Sequence, residues 1–62
     1  ENYRAALEDL NEAIKLDDQN ADAYYNRALI KEGNDDFEGA RMDYDKVVHL
    51  NPEHTIQHQN PL

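Results

Sequence analysis

The sequence predicts an all-α chain: antiparallel helix hairpins of an α–α superhelix, built from three helices and a short C-terminal tail. Two observations carry this. Three stretches place apolar residues at steps of three and four, the spacing that draws one face of a helix, with short polar breaks between them. The first and third stretches also repeat one another at an offset of 34 residues.

The first stretch carries Tyr3, Ala6, Leu7, Leu10, Ala13 and Ile14 and predicts a helix from about Tyr3 to Leu16. Asn2 is its candidate N-cap. Asp17-Asp18-Gln19-Asn20 is a polar stop, because Asn and Asp side chains bond their own backbone in turns. The second helix starts after Asn20, with Asp22 in the first turn, where the positive end of the helix dipole favours a carboxylate. It carries two seams, one of Ala21, Tyr24 and Ala28 and a neighbouring one of Tyr25 and Leu29, so it can touch a partner on each flank. Gly33-Asn34 is expected to end it, Gly and Asn being the residues that enter the left-handed region at least cost.

The third helix has two cap solutions, a capping box of Asp35 with Glu38 or Asp36 alone. Its stripe is Phe37, Ala40, Tyr44, Val47 and Val48, closed by Leu50 before Asn51-Pro52. From Glu53 the tail has only Ile56 to bury and is expected to be a short helical piece or a mobile end.

Size and charge narrow the function. A 62-residue domain buries about 60% of the surface its unfolded chain exposes, so the core is thin, and with no cysteine there is no disulfide or thiolate metal site to reinforce it. Fourteen acids against 6 bases give a net charge of −8, which opposes nucleic-acid phosphates and favours a basic partner, besides keeping a small chain soluble. No apolar run is long enough to span a bilayer, and there is no basic-then-apolar leader. The chain opens at Glu1 rather than Met and reads as a piece of something longer.

The 34-residue offset lays Tyr3 on Phe37, Ala6 on Ala40, Asp9 on Asp43, Leu10 on Tyr44, Ala13 on Val47, Ile14 on Val48 and Leu16 on Leu50, with Asn2 on Asp36. Small residues fall under small ones and large under large along a whole helix. This period resembles the tetratricopeptide repeat, whose pattern is carried here by Tyr24, Ala28, Phe37, Ala40, Tyr44 and Pro52. Ala28 and Ala40 are then the close-approach points of two antiparallel helices, with aromatics filling the space around them. Lys31, Asp35 and Val47 depart from the pattern, standing where the family usually has an aromatic, the turn glycine and alanine.

The resemblance divides the chain into residues 1–20, the second helix of a preceding unit; 21–54, one complete hairpin; and 55–62, a tail or the start of a next unit. About one and a half units are present, and stacked repeats usually need three or more. Apolar surface should therefore be open at both ends, and a homo-oligomer formed by stacking or helix swapping is expected.

Function follows from the same resemblance: a non-catalytic module for binding proteins or peptides, or an engineered or excised scaffold fragment whose main property is self-association. The family's groove is lined by the first helix of each unit, which implies Asp22, Tyr25, Asn26, Leu29 and Glu32 here. Tyr25 and Leu29 would give apolar contact or pack on the first helix, Asn26 would bond a peptide backbone, and the two acids would prefer a basic ligand. Asn26-Arg27 resembles the middle of the family's carboxylate clamp, but the converging donors such a clamp requires are missing from the flanking segments.

Other chemistry is weakly signalled. Asn34, Asp36, Glu38, Gly39 and Asp45 loosely match a calcium loop, yet Arg41 breaks it and a capped helix start explains the same acids. His54 and His58, four apart, would share a metal if the tail were helical, with His49 or Glu53 beside them. No nucleophile, phosphate loop or residue set for a cofactor is present, so catalysis is not expected.

Overall fold

The computed structural model describes residues 2–52, which form α1 (Tyr3–Leu16), α2 (Ala21–Gly33) and α3 (Phe37–Leu50). These are the spans that the apolar spacing predicts. The tail from Glu53, including His54, Ile56 and His58, lies outside the described residues. The middle helix organises the fold: α2 packs against α3 and, less extensively, against α1, while α1 and α3 do not pack on each other.

The caps show how local chemistry sets these bounds. Asn20 Oδ1 accepts from the Ala23 amide at 3.2 Å and opens α2, while Asp17 Oδ1 accepts from the Gln19 amide at 3.1 Å in the preceding turn. Asn2 is a cap in position only. Its side chain makes no cap bond, and its backbone carbonyl alone receives the Ala6 amide, at 2.9 Å. Of the two solutions offered for α3, the structure takes Asp36, whose Oδ1 accepts from the Gly39 amide at 3.0 Å. A side chain at Gly39 would run into that carboxylate, so the glycine and the cap belong together.

The turn between α2 and α3 corrects the expectation for Gly33-Asn34. Gly33 is the last helical residue and Asn34 caps it at φ −101°; the left-handed residue is Asp35, at φ 65°. The Asp36 amide bonds the Lys31 carbonyl at 2.8 Å and the Asp35 amide bonds the Glu32 carbonyl at 3.0 Å, the paired bonds of a Schellman C-terminus. That motif puts its left-handed position two residues beyond Gly33, so the glycine falls short of the place that needs it. Asp35 holds the conformation despite its Cβ and adds a negative charge at the negative end of α2. Asp35→Gly is therefore expected to stabilise the chain by about 0.5–1 kcal/mol, read as a rise of several degrees in the thermal midpoint.

The core is the interface of α2 and α3. Ala28 is fully buried, and Ala23, Tyr24, Ala40 and Val47 are nearly so, consistent with two helices meeting at alanines. The stripe on α3 is split, however. Ala40, Asp43 and Val47 are buried, while Phe37 remains 61% exposed and Val48 44% exposed, so Phe37 does not fill the space beside the alanines as expected. Only α2 packs on α3 among the described residues, and one helix covers one seam.

Candidate protein-binding face and the ion cluster behind it

All five residues expected in the groove lie on α2, and the structure leaves all five exposed. They sit at helical steps of three and four, so they form one continuous stripe. Tyr25 and Leu29 are 42% and 44% exposed, so neither is buried against α1; the Tyr25 ring instead meets the Tyr44 ring of α3 edge-on, 5.8 Å between centroids. Glu32 is held at its place on the stripe by the Tyr44 hydroxyl, which donates to its carboxylate at 2.8 Å. Burial, and then that bond to Glu32, push the Tyr44 phenol up to about 12, so it stays protonated and donating at neutral pH. Asp22 and Tyr25 continue into an open cleft of about 280 Å³ with Ala21, Val47 and Asn51.

Behind this face lies a polar cluster that sequence reasoning did not find. Asp43 is 4% exposed and receives two parallel hydrogen bonds from Arg27, Nε to Oδ2 at 2.8 Å and Nη2 to Oδ1 at 2.7 Å. Lys31 Nζ approaches the same Oδ2 at 3.2 Å. The remaining arm of Arg27, Nη1, donates to Asn11 Oδ1 on α1 at 2.7 Å, so one guanidinium ties all three helices together. Its face also lies 5.5 Å from the centre of the Tyr24 ring, whose hydroxyl donates to the Asp18 carbonyl at 3.3 Å in the α1–α2 turn. Burial alone would push the Asp43 carboxyl up; the hydrogen bonds from Arg27 and Lys31, with their charges, outweigh it and hold the carboxyl below its usual range.

Two signals pointed here. An acid recurs at the same register of the repeat, Asp9 and Asp43, and in α3 it stands within the apolar stripe between Ala40 and Val47. Lys31, at the family's aromatic position, is the other: the aromatic is replaced by a cation that answers the buried acid. The cluster also bears on Arg27 as a clamp residue. Its guanidinium is engaged within the fold, by Asn11 and Asp43, where a clamp for an acidic peptide would require it free.

The calcium-loop pattern is accounted for by the helix start: Asp36 is the cap, and Glu38, Gly39 and Asp45 lie within α3. Among the described residues no three His, Asp or Glu side chains gather as a metal site, and none of the helices is long and apolar enough to cross a membrane. The pairing proposed for His54 and His58 falls outside the described residues.

Two antiparallel helix pairs sharing a central helix, with the sequence recurring along the chain, define an α-helical repeat protein. Family models agree: a TPR repeat model matches residues 1–35 and a tetratricopeptide repeat model matches residues 21–54. The chain belongs to the tetratricopeptide repeat family. No curated protein and no solved structure gives a significant match to it.

Proposed function

We propose that the chain is a non-catalytic interaction module whose α2 stripe of Asp22, Tyr25, Asn26, Leu29 and Glu32 holds a basic peptide or protein segment. The family supplies the coarse statement, a protein-interaction repeat. The finer one rests on a single observation: this stripe is exposed, carries two carboxylates, and has lost both neighbouring cations of α2 to Asp43 behind it. Tyr25 and Leu29 add an apolar strip between the acids, and Tyr44 fixes one acid in place. In this reading residues 21–54 form the working hairpin and 1–20 the half-unit that braces it.

The test uses two fluorescent twelve-residue peptides of alternating leucine and charged residues, one with lysine and one with glutamate. The lysine peptide is expected to bind, to weaken with salt as exposed ion pairs do, and to lose affinity severalfold on Glu32→Gln or Tyr25→Ala. Equal binding of the glutamate peptide, or binding indifferent to both substitutions, would remove the assignment.

A second reading, self-association, is favoured by the flank of α3 where Phe37 and Val48 stand exposed on either side of half-buried Tyr44. In this reading two or more copies stack or swap helices to cover that flank. Light scattering at millimolar concentration is expected to give more than the monomer mass, falling to the monomer on Phe37→Glu. A monomer in the unsubstituted chain would end this second reading.

A further inference from the structure

We propose, resting on the α2 stripe as the binding face, that this face selects arginine over lysine in the segment it holds. Glu32 receives the guanidinium, and Tyr44 of α3 is the positioning residue that holds Glu32 ready for it. Glu32 is exposed, and the Tyr44 hydroxyl binds its carboxylate at one oxygen only, Oε1, at 2.8 Å. Among the described residues Oε2 accepts nothing, and no lysine or arginine pairs with this carboxylate. The bond also crosses from one helix to the other. Tyr44 is half-buried on α3, and its ring is set against the Tyr25 ring of α2, 5.8 Å between centroids with the planes at 62°. A long, exposed side chain is thus tied at its tip to a ring that the hairpin holds in place.

Fixing the carboxylate favours one cation over the other. A guanidinium approaches as a planar fork and makes two parallel bonds only when the carboxylate lies in its plane. An exposed glutamate ordinarily has to be ordered for that, and here the Tyr44 bond has ordered it before the partner arrives. An ammonium is a point charge that meets an oxygen from many directions, so it gains little from a fixed plane. Asp43 shows the same difference inside the chain: Arg27 gives it two parallel bonds, at 2.8 and 2.7 Å, where Lys31 makes a single approach at 3.2 Å. Oε1 keeps a second lone pair beside the Tyr44 bond and Oε2 keeps both, so the fork has its two acceptors. Leu29, one turn before Glu32 and 44% exposed, lies where the methylene stem of either cation would run, so the head group makes the choice.

The test compares the leucine–lysine peptide with the same peptide carrying arginine at every lysine, by fluorescence anisotropy. The arginine peptide is expected to bind about three- to fivefold tighter, the scale of one added exposed ion-pair bond. Tyr44→Phe keeps the ring beside Tyr25 and removes only the hydroxyl, so helical circular dichroism stays unchanged. In that variant lysine binding should hold within about twofold while the arginine preference disappears. Glu32→Gln, at an exposed position, should erase the preference as well. Equal binding of the two peptides overturns the selectivity and leaves the binding face standing, whereas absence of binding by either peptide removes both. A preference that survives Tyr44→Phe also overturns the proposal, because arginine is then stacking on the exposed rings. So does an equal loss of both peptides in Tyr44→Phe, which makes the hydroxyl a brace of the hairpin and no more.

Discussion

Asp43→Ala is expected to cost the chain about half or more of its folding stability at 25 °C. The substitution removes the acceptor shared by Arg27 and Lys31 and leaves a guanidinium and an ammonium between helices with no counter-charge. Breaking a buried ion pair in this way typically costs about 3–5 kcal/mol. The Arg27 and Lys31 side chains keep 19% and 22% of their exposure, so water recovers part of that. A cost of about 2–3 kcal/mol remains, against the roughly 3–5 kcal/mol that a core this small supplies. Helical circular dichroism in urea is expected to show the midpoint falling by half or more. Asp43→Asn, which keeps an acceptor and loses the charge, should lie between the two.

The same carboxylate gives the fold an acid limit with a definite sign. Because the Asp43 carboxyl is held below its usual range in the folded chain, its contribution is complete above the unfolded value of about 3.9. It is lost as the pH falls through the lower folded value. The thermal midpoint should therefore drop below about pH 4, and this part of the drop should vanish in Asp43→Asn. An unchanged acid limit in that variant would place the pH-sensitive group elsewhere.

How much of this was legible follows from what each signal reports. Helix spans were legible because apolar spacing and polar stops act locally: Tyr3–Leu16, Ala21–Gly33 and Phe37–Leu50 all follow from them. So was the choice of Ala28 and Ala40 as contact points, since a small residue in an apolar stripe marks where another backbone comes close. Read from composition the turn was misplaced by two residues, although the repeat pattern puts Asp35 where the family has its turn glycine. Gly33 has the composition of a left-handed residue, whereas the position is fixed by which amides can reach the Lys31 and Glu32 carbonyls, and that places Asp35 there. The ion cluster was hidden because Arg27 and Lys31 look like ordinary surface charges until α3 is laid against them. Exposure of the α2 stripe is consistent with the binding face inferred from the family pattern, and what that face holds awaits the peptides.

Ala28→Leu is expected to be nearly as damaging as losing Asp43, for a reason that can be separated from helix formation. Leucine and alanine have similar helix propensities, so α2 by itself is hardly affected. Packing is what changes. Ala28 has no exposed surface, and it lies on the one helix that packs against both others, so an added isobutyl group cannot turn outward without disturbing an interface. Overpacking a filled site costs about 1–3 kcal/mol, and separation of the helices would also lengthen the bonds from Arg27 to Asp43, coupling the two effects. Ala5→Leu makes the same chemical change at an exposed position on α1 and should stay within about 0.5 kcal/mol of the unsubstituted chain. If the two variants unfold at the same urea concentration, α2 and α3 do not close at Ala28. If Ala28→Leu falls well below Ala5→Leu, and adding Asp43→Asn costs less in that background than alone, the alanine contact is what brings the arginine within reach of its acid.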